Sequence, residues 1–153
     1  MTDLGLMHYF LGIEIRQREE GIFICQKKYT ENLLKKYKME GCKTVDIPLE
    51  SKKALQTEDG SPKADQTKFR SLIGSLLYLT TTRTDIMYAT CLLSRFMQSP
   101  TQVHHGVAKR VLRYLQGTKN YGIWYSSTQD SRLIGYTDND WAGSVDDMRS
   151  TSD

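Results

Sequence analysis

Acidic side chains near the C-terminus of the 153-residue sequence are the residues best suited to metal-assisted chemistry. From Asp130 onward there are six aspartates and only two basic residues, Arg132 and Arg149. Asp138 and Asp140 follow a segment typical of a β-strand. Phosphoryl transfer by two metal ions requires several carboxylates on a rigid sheet, because the attacking and leaving oxygens must both be stabilised. One strand-end pair is too few, so we expect Asp138 and Asp140 to be solvated acids that bind a divalent cation at most weakly.

A second acidic pair, Asp146-Asp147, has the form of the aspartate pair that polymerases display on a hairpin. In a polymerase the pair lies between apolar strands. Here Gly143-Ser144 comes before it and the polar residues 149–152 come after it. These neighbours predict a loop, so we expect no polymerase chemistry from this pair.

Lysine side chains form the next candidate site. Between Gln26 and Lys43, six lysines face two glutamates, and the apolar residues of this segment recur with a helical period. The lysines therefore lie on the outer faces of an amphipathic helix, where they could contact a nucleic-acid backbone without reading its sequence and in a salt-sensitive way. An ordinary solvated helix face is the alternative. The candidate residues are Lys27, Lys28, Lys35, Lys36 and Lys38.

Cysteine and histidine spacing predicts no metal site and no cofactor. The three cysteines, Cys25, Cys42 and Cys91, are far apart and include no Cys-x-x-Cys pair, so neither a disulfide framework nor a zinc site is expected. His104 and His105 are adjacent, and neighbours on a helix point about 100 degrees apart. No nucleophile elbow or catalytic triad is recognisable, which leaves hydrolase chemistry without support.

Composition indicates a folded globular chain. The sequence is 39% hydrophobic and 25% charged, with a net charge of +3. No run approaches the roughly 18 apolar residues that span a bilayer, so we expect no membrane insertion. His8 interrupts the apolar stretch from Leu4 to Ile13, Asp3 stands where basic residues are expected before it, and no small-residue cleavage site follows. We therefore expect no signal peptide and an intracellular location by default. Secretion and delivery into a host cell is the alternative location.

The elements that must position these residues indicate an α+β fold: an N-terminal β-hairpin, four helices and a C-terminal strand pair. Residues 8–16 and 21–26 are rich in Ile, Phe and Tyr and flank a polar turn, as in a hairpin. Residues 121–125 and 133–137 are the predicted C-terminal strands. The predicted helices are residues 27–40, ended by Gly41; one capped by Asp65; one capped by Asp85 that runs to about Gln98; and one capped by Thr101 that ends at Gly117.

Six motifs occur in a fixed order along nearly the whole chain. They are HYFLGIEI (8–15), QKKY (26–29), RSLIGSLLYL (70–79), DIMYA (85–89), AKRVLRYL (108–115) and GYTDNDWAG (135–143). In this order they resemble the Pol polyprotein of copia-type retrotransposons, from the end of the reverse transcriptase into the start of the ribonuclease H. Departures from the pattern are Thr84 for proline, Asn139 for serine, Met148 for a basic residue and Asp153 for glycine.

The resemblance implies four segments: residues 1–41 as a reverse-transcriptase hairpin and thumb-like helix, 42–64 as a linker, 65–118 as a helical connection, and 119–153 as a truncated start of a ribonuclease H-like sheet. It also implies that Asp138 matches the first metal-binding aspartate of that nuclease. The remaining nuclease carboxylates would lie beyond Asp153, and the polymerase palm carboxylates before Met1. We therefore expect a catalytically inactive fragment with at most residual nucleic-acid binding.

A second resemblance is the Arg-x-Leu-Arg word of secreted plant-pathogen effectors, spelled here by Arg110, Val111, Leu112 and Arg113. In those effectors the word follows a cleaved signal peptide and often precedes an acidic stretch, and neither feature is visible here. A basic amphipathic helix alone explains the word. Loss of catalysis would not hinder an interaction role, so we keep as the alternative function an effector that suppresses host plant cell death through a host protein partner.

Overall fold

The computed structural model describes residues 5–50, 55–127 and 135. Within these residues the chain has four α-helices and one four-stranded antiparallel sheet, so the predicted α+β class is confirmed. The elements are β1 (Tyr9–Phe10), β2 (Ile13–Arg18), β3 (Gly21–Cys25), α1 (Lys27–Lys36), α2 (Gln66–Leu79), a 3₁₀ helix (Thr84–Ile86), α3 (Met87–Ser94), α4 (Gln102–Gly117) and β4 (Gly122–Ser126).

The sheet has the strand order β1-β2-β3-β4. The predicted hairpin is present as β2 and β3, with Arg18 paired to Gly21 across a two-residue turn. Gly21 is required in this position, because a Cβ there would collide with the carbonyl oxygen of Tyr125 on β4. The sheet thus depends on close backbone packing between the hairpin and a strand from the other end of the described chain.

The strand predicted at residues 121–125 is observed as β4, and its partner is β3, with Phe23 opposite Trp124. An isolated pair of strands is marginal in water, whereas addition to a hairpin gives a stable sheet. The other predicted C-terminal strand, residues 133–137, lies outside the described residues. The described strands do not identify a ribonuclease H-like sheet.

The first helix is shorter than predicted. It ends at Lys36, and the left-handed residue that closes it is Lys38, with φ of 55°; Gly41, with φ of 70°, is also left-handed but lies three residues farther on. The amide of Met39 donates to the Leu34 carbonyl oxygen at 2.8 Å, which closes a Schellman-type end. This early turn brings Met39 back onto the hydrophobic core, and that packing gain explains why a lysine adopts this conformation.

Two of the three predicted N-caps are confirmed. The Asp65 carboxylate accepts a hydrogen bond from the Lys68 amide at 3.0 Å, and the Thr101 hydroxyl caps α4 while its own amide donates to His104 Nδ1 at 3.0 Å. The third is wrong: Asp85 lies within the 3₁₀ helix, and α3 has no side-chain cap. The Asp85 carboxylate instead binds other side chains, which are described below. Helix α3 also ends at Ser94, four residues before the predicted stop.

The hydrophobic core lies between the four helices. Its fully buried members include Phe69, Leu76, Leu93 and Leu112. In the described residues the core cluster contains no strand residue, so the sheet contacts the helices from outside this cluster, for example through the Tyr78 hydroxyl, which donates to the Leu11 carbonyl oxygen. The predicted linker, where described, has no helix or strand, yet it contributes Leu55 to the core. No helix in the described ranges is long and apolar enough to cross a membrane.

Candidate nucleic-acid interface

The lysines predicted as backbone contacts lie on the outer faces of α1 and just after it. The helix buries Thr30, Leu33 and Leu34 against the core, which directs the lysines away from it. Lys27 is half-buried, and the exposed lysines are Lys28, Lys35, Lys36 and Lys38. A cationic helix surface is therefore available to solvent, although its role stays a prediction.

The contacts of these lysines leave most of their charge available. Lys35 Nζ lies 3.9 Å from Glu40 Oε1, and both side chains are more than half exposed, so this pair contributes at most about 1 kcal/mol and is easily exchanged. Lys36 Nζ donates to Ser71 Oγ at 3.2 Å and lies 5.3 Å from the Tyr37 ring centre. A hydroxyl and an aromatic ring orient the Lys36 ammonium without neutralising it.

The hairpin and α1 are joined by a carboxylate at the start of the helix. Glu14 on β2 accepts a hydrogen bond from the Lys28 amide at 2.8 Å. The first amides of a helix have no partner within it, and a negative charge at that end is stabilised by the helix dipole. Glu14 thus fixes the direction in which α1 leaves the hairpin.

Gln26, the residue before α1, forms a buried link to the next part of the chain. Its Oε1 accepts a hydrogen bond from Thr82 Oγ1 at 2.8 Å, and both residues are 1% exposed. Buried polar side chains need such partners, because an unsatisfied polar group in the interior costs about 1–3 kcal/mol. The link places α1 beside the loop that follows α2.

That loop carries a buried arginine network. Arg83 is 2% exposed, and its guanidinium makes two hydrogen bonds to Asp85, at 2.9 and 2.7 Å. It also donates to the carbonyl and hydroxyl oxygens of Thr118 at 2.9 and 2.6 Å. The rings of Tyr114 and Tyr121 lie 5.7 and 5.5 Å from the guanidinium carbon. The buried charge is therefore paired with a carboxylate and contacted by two aromatic rings.

The network also sets the protonation of its members. Burial raises the pKa of Asp85, but the hydrogen bonds from Arg83 and Tyr114 and the Arg83 charge outweigh burial, so the net pKa is lowered. Burial and then the hydrogen bond to Asp85 raise the pKa of Tyr114, whose hydroxyl donates to Asp85 at 2.8 Å. At neutral pH the network therefore holds a carboxylate, a guanidinium and a neutral phenol.

Sequence reasoning missed this network. Arg83 was not singled out, and Asp85 was interpreted as a helix cap, because an aspartate before an apolar helical run usually is one. The available signal was the Arg-x-Asp spacing around Thr84. Its partners, Tyr114 and Thr118, come from α4 and its end, and no local pattern identifies them.

The Arg-x-Leu-Arg word lies within α4 and contributes to the fold. Val111 and Leu112 are fully buried in the core. Arg110 forms an ion pair with Glu50 at 2.6 Å, and Arg113 Nε donates to the Lys43 carbonyl oxygen at 2.8 Å. The two arginines hold the connecting segment after α1 against α4, so each residue of the word has a structural role.

The acidic candidates Asp138 and Asp140, and the pair Asp146-Asp147, lie outside the described residues. Among the residues that are described, no cluster of three or more His, Cys, Asp or Glu side chains is arranged to hold a metal ion. Of the predicted site residues, the structure therefore describes the lysines of α1 and the Arg-x-Leu-Arg word of α4. The role of Asp138 as a metal-binding aspartate stays a prediction.

Replacing Asp85 with asparagine tests the buried network. The change leaves the buried Arg83 charge without its partly exposed carboxylate partner, so we expect the free energy of unfolding at pH 7 to fall by about 2 kcal/mol, measured by urea denaturation. Because the folded pKa of Asp85 lies below its ordinary value of 3.8, its stabilisation is present above that value and is lost as the pH falls below it. The difference in free energy of unfolding between the unaltered chain and the Asp85→Asn variant should therefore shrink below about pH 4.

The control for this change is Asp46→Asn, which alters an exposed aspartate of the connecting segment. We expect an effect within about 0.5 kcal/mol. Equal stabilities for the Asp85 and Asp46 variants at neutral pH would contradict the structural role given to the Arg83 network.

The amino-acid sequence of this chain is similar to those of known proteins. The family described as reverse transcriptase (RNA-dependent DNA polymerase) matches residues 1–51, which contain the hairpin and α1. No solved structure matches the chain.

Three relatives show how far the similarity extends. The retrovirus-related Pol polyprotein from transposon RE2 of Arabidopsis thaliana is 41% identical over 146 residues, 95% of this chain and 10% of the polyprotein. An uncharacterised mitochondrial protein of the same plant is 40% identical over 153 residues, 99% of this chain and 63% of that protein. Secreted RxLR effector protein 161 of Plasmopara viticola is 44% identical over 85 residues, 55% of this chain and 60% of the effector.

The similarity covers both the sheet and the helical body, although the chain spans only about a tenth of the RE2 polyprotein. The ordered motifs, the match of the hairpin and α1 to reverse transcriptases, and the identity of about two residues in five over 95% of the sequence agree. The chain belongs to the copia-type retrotransposon Pol polyprotein family.

Proposed function

We propose that this segment of a copia-type Pol polyprotein binds the phosphate backbone of nucleic acid through the exposed lysines of α1. The observation that carries the proposal is the position of those lysines: α1 buries one face in the core and presents Lys28, Lys35 and Lys36 to solvent. The match of residues 1–51 to a family of polymerases supports it, because a polymerase must hold a nucleic-acid duplex.

The geometry favours contact with phosphates rather than with bases. The exposed lysines are flexible point charges, and such contacts position a duplex without reading its sequence. Two tyrosines, Tyr29 on α1 and Tyr37 directly after it, are unsuited to base stacking. They pack against the core, and their hydroxyls donate to Ser75 O and Ser71 Oγ, both at 3.3 Å. Binding should therefore be independent of sequence and weaken steeply with salt.

Replacing Lys35 and Lys36 together with glutamine tests this interface. We expect weaker binding to a primer–template duplex and a salt dependence, log K against log salt concentration, that is less steep by about 2, one for each lost phosphate contact. Fluorescence anisotropy over a salt series measures both quantities.

The matched control is the double change of Lys43 and Lys119 to glutamine, which removes the same charge away from α1. It should change the salt dependence much less. If both double variants weaken binding equally, or if the unaltered chain fails to bind the duplex at low salt, the proposed interface is wrong.

The proposal assigns no phosphoryl transfer to these 153 residues by themselves. Two-metal catalysis needs several carboxylates held on one sheet. By resemblance, Asp138 is one such carboxylate, and its neighbours in the motif are Asn139 and Asp140. The residues that would complete the site are not recognisable in this sequence.

Incubation of the purified chain with an RNA:DNA hybrid and Mg²⁺ or Mn²⁺ tests catalytic inactivity. We expect no cleavage above that of buffer with the same metal ion. The variant Asp138→Asn is the control, because it removes the carboxylate on which residual activity would depend. Cleavage by the unaltered chain that disappears in this variant would show an active nuclease.

A second candidate function is an effector-type interaction with a host protein. The observation that favours it is the 44% identity to secreted RxLR effector protein 161 over 85 residues. The burial of Val111 and Leu112 argues against the word acting as a linear signal in the folded chain. An effector role would therefore have to use the folded surface.

Transient expression in plant tissue separates the two functions. A backbone-binding segment should leave elicitor-triggered cell death unchanged. Suppression of cell death by the unaltered chain, retained in the Lys35 and Lys36 double variant, would favour the effector reading instead. The readout is ion leakage from the tissue, compared with that of tissue expressing an unrelated protein.

A further inference from the structure

The first turn of α4 has a capping box in which a histidine occupies the position usually held by Glu or Gln. The Thr101 hydroxyl accepts a hydrogen bond from the His104 amide, and in return the Thr101 amide donates to His104 Nδ1 at 3.0 Å. A Glu or Gln oxygen accepts this second bond at neutral and mildly acidic pH alike. A histidine nitrogen accepts it only while that nitrogen is unprotonated.

His104 must be neutral to accept this bond. A backbone amide can only donate, so Nδ1 has no proton and the ring proton is on Nε2. The imidazole is fully buried and stacks on Phe96, with ring centres 4.0 Å apart. Burial disfavours an imidazolium, and so does the positive end of the helix dipole, because His104 lies in the first turn of α4. Protonation of Nδ1 would therefore break the cap and place a charge in the interior.

Two charged side chains of the linker adjoin this cap. Asp59 accepts a hydrogen bond from Thr101 Oγ1 at 2.7 Å. Lys63 pairs with Thr101 in an isolated β-bridge and donates to Ser99 Oγ at 2.8 Å. Side-chain hydrogen bonds from Ser61 and Thr101 lower the pKa of Asp59 to about 2, so Asp59 stays ionised where histidine titrates. Its attraction for an imidazolium acts through the Thr101 hydroxyl and is opposed by the Lys63 charge, by burial and by the helix dipole.

The same cap lies where the linker meets α4. The Ala64 amide donates to the Pro100 carbonyl oxygen at 2.8 Å, and the Gln102 amide donates to the Pro62 carbonyl oxygen at 2.9 Å. These two bonds involve the residues directly before and after Thr101. A movement of Thr101 would therefore loosen both bonds together.

We propose that the Thr101–His104 cap is a proton-sensitive latch, and that protonation of His104 releases residues 59–64 of the linker from the start of α4. At neutral pH the imidazole accepts from Thr101 and the linker is held. Below the ordinary histidine value of about 6.5, the open form binds a proton that the closed form excludes. The stabilisation is therefore present above that value and is lost as the pH falls below it. The latch involves no residue of α1, so it is separate from the proposed nucleic-acid interface.

Hydrogen exchange at the Ala64 and Gln102 amides tests the latch. From about pH 7.5 to about pH 5.5, we expect the opening equilibrium constant of these amides, corrected for the intrinsic exchange rate, to rise about tenfold. In His104→Gln the side-chain oxygen can still accept from Thr101, so the constant should change less than about twofold. Circular dichroism of the unaltered chain should show the same helix content at both pH values, because the release is local.

The matched control is His8→Gln, which removes an exposed imidazole near the other end of the described chain and should retain the tenfold rise. His105→Gln is a second control on the same helix. Burial, and then the charge of Lys109, lower the pKa of His105, so this imidazole also resists protonation in the folded chain. Because His105 takes no part in the cap, its variant should retain at least half of the rise.

Equal acceleration of exchange in the unaltered chain and in His104→Gln would overturn the proposal, and so would an absence of acceleration in the unaltered chain. If His104→Gln does not fold, the nitrogen-15 chemical shifts of the His104 ring in the unaltered chain decide. A neutral ring protonated on Nε2 in the closed form at about pH 5.5 supports the latch. An imidazolium at that pH, with the linker amides still protected, contradicts it.

Discussion

The ion pair between the buried Arg83 and the partly exposed Asp85 is the interaction on which the arrangement of the chain depends. Removing a guanidinium from water is costly unless it is paired and fully hydrogen-bonded, and Arg83 meets this requirement with Asp85 and Thr118. The loop before α3, the end of α4 and the approach to β4 must therefore stay together. Through Gln26 and Thr82 the same region holds the start of α1, so the cationic helix is oriented by a charge that solvent does not reach.

Local signals predicted the elements well. Asp65 and Thr101 were recognisable as caps because a cap acts through amides only two or three residues away. The hairpin and the helices followed from the spacing of apolar residues, and the lysines of α1 were recognisable because the same spacing places them outside. Where sequence, local structure and packing agree in this way, a prediction needs no knowledge of distant residues.

The errors occurred where distant contacts outweigh local preference. Asp85 resembles a cap, but Arg83 and Tyr114 bind its carboxylate and remove it from that role. Helix α1 ends before Gly41, because packing of Met39 on the core accompanies a left-handed turn at Lys38, three residues earlier. The pairing of β4 with β3 could not be inferred from either segment alone.

In the proposed complex, nucleic acid lies along α1 rather than on the four-stranded sheet. Titration of the isotopically labelled chain with a primer–template duplex, followed by amide chemical shifts, locates the bound duplex on the chain. We expect the largest changes at Lys28, Lys35 and Lys36 and small changes in β1 to β4, and we expect added salt to reverse them. Changes confined to the strands, or no changes at low salt, would show that α1 is not the binding surface.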